Sequence, residues 1–146
     1  MNATVKAIDN VPKEFATEVE FHPWDEHGLP LFIHPRAPRL KTSIDATVQW
    51  LRDNADTLDR LVLDAGAVVL RDFPLRDTDD FARMVDHFPS PEFGYSGGAA
   101  QRNNLKGKVF ETTHAAAHTT LVLHQEMSYL PHYPRQLAFF CQHAAD

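Results

Sequence analysis

One cysteine, Cys141, stands in 146 residues. No internal disulfide can form, so packing and hydrogen bonds must hold the fold, and a reducing compartment is the expected setting. Long apolar runs are also missing. The longest, Leu61 to Leu70, is broken by Asp64 and Gly66 and falls well short of the roughly 20 residues that a membrane helix needs. Met1 to Asn10 has neither a basic start nor an apolar stretch, so no signal peptide is expected and the protein reads as cytoplasmic. Positive charge is in deficit: 14 Lys and Arg against 20 Asp and Glu give a net charge of −6. That balance argues against nucleic acid or an anionic membrane as the main partner. An anionic small molecule stays compatible, because a local Arg or Lys can outweigh the global sign. Glycine is sparse, and four of the six fall between Gly94 and Gly107, which marks that stretch as loop. There is no internal repeat and no low-complexity segment.

What is present is the composition of a soluble globular chain, 43% hydrophobic and 23% charged. The length suits one ordinary domain, which would bury roughly 70% of its unfolded surface. Residues 1–40 read as an ordered N-terminal arm. Val5–Ile8 and the alternating Thr17–Phe21 are expected as short strands. His22-Pro23, Leu29-Pro30, His34-Pro35 and Ala37-Pro38 exclude a long helix there. Trp24, Leu29, Leu31 and Phe32 are expected to pin the arm to the body, which spans 41–146, with Trp24 and Trp50 in the core. A helix is expected over Ile44–Ala65, with Ser43 as N-cap, an apolar stripe through Val48, Leu51, Leu58 and Leu61, a break at Asp53-Asn54 and Gly66 as C-cap. Ala67–Leu70 follows as a buried strand. A second helix starts with Thr78 as its cap and buries Phe81, Met84, Val85 and Phe88. Ser90–Lys108 reads as loop, Val109–Glu111 as a short strand, Thr112–His118 as a second loop, and Gln136–Cys141 as a strand with Cys141 buried.

The chemistry centres on Leu121-Val122-Leu123-His124-Gln125-Glu126-Met127-Ser128-Tyr129. The apolar run Leu121–Leu123 predicts a short buried strand. Side chains at i and i+2 of a strand share a face, so His124 and Glu126 would lie about 7 Å apart with Gln125 turned away. An imidazole and a carboxylate aimed into one pocket are two ligands of a 2-His-1-carboxylate iron site. Taken alone, an H-x-E pair is more often two polar residues at a solvated strand end, since an i, i+2 pair is common.

From Gly66 onward the sequence resembles the taurine/2,4-D dioxygenase-like (TauD/TfdA) group of Fe(II)/2-oxoglutarate-dependent oxygenases, which includes the clavaminate-synthase-like enzymes. Gly66-Ala67-Val68-Val69-Leu70-Arg71-Asp72-Phe73-Pro74 resembles that family's G-A-V-[VL]-[LF]-R-G-F strand and turn, with Asp72 where Gly is usual. Tyr95-Ser96-Gly97-Gly98 followed by Arg102 resembles a Y-x-G-G-x3-R loop, and Val109–Thr113 resembles V-Y-x-x-T. His124–Tyr129 with Pro134, Leu137, Phe139, Phe140 and Cys141 resembles H-x-E-x-S-Y-x4-P-x2-[LI]-x-F-[FY]-C, the most specific of the four.

The resemblance implies an α+β chain with a double-stranded β-helix, or jelly-roll, core and outer helices, here incomplete. It implies Fe(II) as metal, 2-oxoglutarate as cosubstrate, O2 and a small-molecule substrate. By the same resemblance His124 and Glu126 map onto the first His and the carboxylate of the iron triad. Halogenating relatives lose that carboxylate, so Glu126 points to hydroxylation or a related C–H oxidation. Tyr95, Arg102, Asn103, Ser128 and Tyr129 map to the substrate pocket. The family's G-G-x-T turn, second iron His and 2-oxoglutarate Arg find no counterpart before Asp146, so the chain reads as an N-terminal half that is inactive alone. Half a jelly roll leaves strand edges unpaired, which favours a homo-oligomer or a complementing C-terminal half. The competing reading is a non-catalytic module that binds a partner or a metal through the same strand. His114 and His118 have a zinc-like H-x3-H spacing, but without cysteines they read as solvated loop residues.

Overall fold

The computed structural model describes residues 8–24, 30–88, 102–112, 118–120, 122–125, 128, 131 and 133–143. The chain forms two compact units, Met1–Leu75 and Arg76–Asp146, and mixes helix with strand throughout.

In the first unit, helix α1 (Lys13–Glu18) leads directly into strand β1 (Val19–Pro23). Strand β2 (Leu31–Pro35) pairs antiparallel with β1, from Val19 opposite Pro35 to Pro23 opposite Leu31. Three helices follow: α2 (Pro38–Thr42), α3 (Ile44–Asp53) and α4 (Ala55–Ala65). They carry the chain back so that β3 (Val68–Leu70) can pair parallel with β2, since a parallel pair needs a crossover that no tight turn can supply. The sheet order is β1-β2-β3. Leu31, Ile33 and Pro35 of β2 are buried while Phe32 and His34 are half-exposed, the two-residue period of a sheet with one covered face. Phe15, Val19, Leu40, Trp50, Leu51 and Leu61 complete this core. Phe15 packs on Trp50 with ring centroids 5.0 Å apart, and Phe73 stacks on the same indole at 5.7 Å.

Local sequence explains the helix boundaries. Ser43 Oγ accepts the Ala46 amide at 3.2 Å and so caps α3. The break expected at Asp53-Asn54 is present: Asn54 separates α3 from α4 and donates its side-chain amide to the Trp50 carbonyl at 2.8 Å. Gly66, at φ +70°, ends α4 in a conformation that costs a residue with a Cβ.

The second unit contains helix α5 (Thr78–Val85) and a hairpin of β4 (Asn104–Lys106) and β5 (Val109–Phe110). Phe81, Met84 and Val85 form the buried face of α5, and Phe140 stacks on Phe81 at 5.4 Å. Gly107, at φ +55°, makes the hairpin turn. Lys108 Nζ donates to the carbonyls of Asp86 and Phe88 at 2.8 and 2.9 Å, placing a cation at the negative end of α5.

Several expectations need correction. Thr17–Phe21 is not one strand. Thr17 and Glu18 finish α1, Thr17 Oγ1 donating to the Glu14 carbonyl at 2.8 Å. The cap of α5 is Asp77, whose carboxylate accepts the Asp80 amide at 2.9 Å; Thr78 is already helical. Strand β4 lies inside the stretch read as loop. Trp24 is 71% exposed and stacks on Phe32 rather than entering the core. Cys141 is exposed, its Sγ donating to the His143 carbonyl.

The largest difference concerns the two segments expected as core strands. Residues 122–125 and 136–141 carry no strand. Leu123 is fully exposed, and Val122 and Phe139 are 75% and 72% exposed. An extended segment becomes a strand only when a neighbour takes up its backbone groups, and no ladder to either segment exists among the described residues. The described strands accordingly form a three-stranded sheet and a hairpin. Val5–Ala7 and Leu29 lie outside the described residues. No described helix is long and apolar enough to cross a membrane.

Candidate metal centre

Of the two expected iron ligands, His124 is described and Glu126 lies outside the described residues. His124 is exposed, in the non-regular segment 122–125. Its Nδ1 stands 2.9 Å from the carbonyl oxygen of Val122. A carbonyl can only accept, so Nδ1 carries the ring proton in this contact, and in the neutral ring the lone pair is on Nε2. Histidine ligands of metals commonly have this arrangement, one ring N–H held by a carbonyl or carboxylate and the other nitrogen turned to the ion. The donor type and its tautomer therefore fit a borderline divalent metal such as Fe(II). Among the described residues no three His, Cys, Asp or Glu side chains converge on one point.

The expected pocket residues fall as follows. Arg102 is half-buried just before β4. Asn103 is exposed, donates its side-chain amide to Glu111 Oε2 at 2.8 Å, and accepts the Glu111 amide on its carbonyl at 3.0 Å. These two contacts extend the hairpin beyond the β4–β5 ladder. Ser128 is exposed, and Tyr95 and Tyr129 lie outside the described residues. His118 is exposed; His114 is outside the described residues.

The first unit holds a polar cluster that sequence reasoning passed over. Glu20, His22, His34, Pro35, Lys41 and Asp72 line a shallow recess on the outer face of the sheet. Glu20 lies directly opposite His34 across the antiparallel pair, and the His22 and His34 rings meet edge to face at 4.8 Å. His34 Nδ1 is 2.8 Å from Asp72 Oδ2. Glu20 Oε1 accepts Arg36 Nε at 3.2 Å, and its other oxygen lies 3.5 Å from His22 Nε2. The Arg36 guanidinium, and after it His22, hold the Glu20 carboxyl below its ordinary value. The available signal was the two-residue period: Glu20 with His22, and Phe32 with His34, share a face once the segments are strands.

Comparison with known proteins adds two findings. The family model described as "Taurine catabolism dioxygenase TauD, TfdA family" matches residues 30–146. A clavaminate synthase-like protein from Arabidopsis thaliana is 33% identical over 122 residues. That alignment covers 82% of this chain and 37% of the relative, so the chain spans little more than a third of the relative's length. The family match begins at residue 30, inside the segment read as an arm, and includes β2 and everything after it.

Proposed function

Since the chain belongs to the taurine catabolism dioxygenase TauD, TfdA family, we propose that it is part of an Fe(II)/2-oxoglutarate-dependent oxygenase that oxidises a C–H bond of a small molecule. The observation that carries the reading is the His124-Gln125-Glu126 stretch inside the matched region. Bound Fe(II) supplies the activation of O2; the balanced reaction converts substrate, O2 and 2-oxoglutarate into oxidised substrate, succinate and CO2. His124 Nε2 and the Glu126 carboxylate are the two protein donors assigned to the metal. Both suit iron in a 2-His-1-carboxylate set, which leaves positions for cosubstrate and O2.

The remaining assignments follow from that reading. Tyr95, Arg102, Asn103, Ser128 and Tyr129 are proposed to line the substrate pocket. The 2-oxoglutarate carboxylates call for a bidentate cation, which we assign to no residue of this chain. The core is proposed to be a jelly roll completed by polypeptide corresponding to the rest of the relative's length, in this chain's own continuation or in a complementing half. The exposed apolar side chains of Val122, Leu123, Leu137 and Phe139 support this part of the reading. Isolated apolar side chains on a surface are unremarkable, but two short segments that each expose several of them are what surfaces awaiting a packing partner present.

The test is conversion of 2-oxoglutarate to succinate with Fe(II) and ascorbate. The 146-residue chain alone should show little or none. A family-length form should turn over, and Glu126→Ala should abolish that turnover. Activity that survives Glu126→Ala would remove the carboxylate from its assigned role, and robust turnover by the short chain would overturn the claim that its site is incomplete.

A further inference from the structure

We propose that the open edge of β1 is a self-association surface, on which β1 of a second copy of this chain pairs antiparallel about a twofold axis at Phe21. The proposal is independent of the metal centre, and β1 lies before residue 30, where the family match begins.

β1 is an edge strand of its sheet. Two hydrogen bonds fix which of its backbone groups face outward. Trp24 N–H donates to the Pro30 carbonyl at 3.3 Å, and Arg36 N–H donates to the Glu18 carbonyl at 2.8 Å. In the β1–β2 register, Glu20 and His22 between them therefore turn their backbone groups toward β2, because antiparallel bonding alternates along a strand. Val19 and Phe21 aim N–H and C=O the other way, with the Pro23 carbonyl next in line. Among the described residues no strand takes them up. Val19 and Phe21 from one face of β1, and Glu20 and His22 from the other, line a shallow recess together with Ile8 and Val11. A recess reached from both faces lies at the strand's edge.

The order of residues in β1 selects a second β1 as the occupant. With Phe21 opposite its own copy, the two Phe21 residues exchange N–H···O=C bonds, and each Val19 N–H donates to the Pro23 carbonyl of the other copy. Pro23, which has no N–H, sits where the pairing ends. Glu20 then stands opposite His22 of the second copy, on the other face. Sliding the copies by two residues sets Glu20 against Glu20, or His22 against His22, so only the centred register pairs acid with base. The same register brings two half-buried Phe21 side chains together, adding apolar burial to the backbone bonds. Such an isologous contact closes with two copies.

The experiment is sedimentation equilibrium of the 146-residue chain over a micromolar to millimolar series, with amide hydrogen exchange measured at each concentration. The expected result is a monomer–dimer equilibrium. Protection of the Phe21 amide rises with the dimer, while that of His22, bonded to β2, stays constant. His22→Glu sets carboxylates opposite each other at both ends of the pairing and should weaken the dimer about tenfold. Glu20→His combined with His22→Glu should recover it. A chain that stays monomeric throughout overturns the proposal. A dimer indifferent to His22→Glu assembles through another surface and also overturns it. So does a Phe21 amide protected equally at every concentration, which means that the edge is covered within one chain.

Discussion

His34 Nδ1 stands 2.8 Å from a carboxylate oxygen of Asp72, and Asp72 is the one described residue other than glycine with a positive φ, +63°. The two facts belong together. Left-handed backbone costs a residue with a Cβ roughly 1–2 kcal/mol, less for Asp than for most. The carboxylate reaches back from the turn after β3 to β2, two strands that already pair in parallel, and the bond to His34 offsets part of that cost.

This predicts an unequal pair of substitutions. Asp72→Ala loses the bond and keeps the strain, so it should destabilise the chain by about 1 kcal/mol, a modest figure because the carboxylate is largely exposed. Asp72→Gly loses the bond and the strain together and should stay within about 0.5 kcal/mol of wild type. Chemical denaturation of both variants measures the difference; equal stabilities would mean the backbone at position 72 is unstrained.

Acid should act on the same face through Glu20. Its folded-state carboxyl is held below the ordinary value of 4.5, first by Arg36 and then by His22. A depressed carboxylate contributes stability that is present above the unfolded value and is lost as pH falls through the folded one. Glu20→Gln should therefore be slightly less stable than wild type at neutral pH, and the two curves should converge once pH falls below the depressed value. The carboxylate is solvated, so the effect is small. Curves that diverge further in acid would reverse the assigned sign.

Asp77 and Thr78 offer a direct comparison of adjacent candidate caps. Asp77 accepts the Asp80 amide; Thr78 lies one residue inside the helix. Asp77→Ala should cost about 1 kcal/mol, and Thr78→Ala much less. Urea titration followed by circular dichroism separates them, and the reverse order would restore Thr78 as the cap.

How much could be read beforehand depended on whether the signal was local. Ser43, the break at Asn54 and Gly66 act on backbone within one turn, so their residue types announce them. Asp77 and Thr78 are both good caps, and only the hydrogen bond decides between them. The sheet of the first unit was harder. Proline-rich punctuation made residues 1–40 look irregular, whereas Val19–Pro23 and Leu31–Pro35 are strands because each has the other to pair with. The reverse held for Val122-Leu123 and Gln136–Cys141. Their apolar runs are strand-like, but strand formation is a property of two segments, and no partner ladder exists among the described residues. At the proposed metal centre, spacing and resemblance named His124 and Glu126; the structure describes His124, and Glu126 lies outside the described residues. The Val122 carbonyl was not legible, because a backbone acceptor leaves no mark in the sequence.

The exposed apolar segments make a further prediction. In the 146-residue chain Phe139, 72% exposed, packs too little for its loss to matter. Phe139→Ser should change stability by no more than about 0.5 kcal/mol and should improve solubility. In a family-length form, where that segment is proposed to pair, the same change should cost about 3 kcal/mol or more. A large loss in the short chain would show that Phe139 is already buried there.

The central claim is that His124 and Glu126 hold iron. Anaerobic titration of the chain with Fe(II), read against a competing chelator, tests it without requiring turnover. The expected result is one weakly held ion per chain, lost on either His124→Ala or Glu126→Ala. Binding left unchanged by both substitutions would contradict the assignment of the metal centre to these residues.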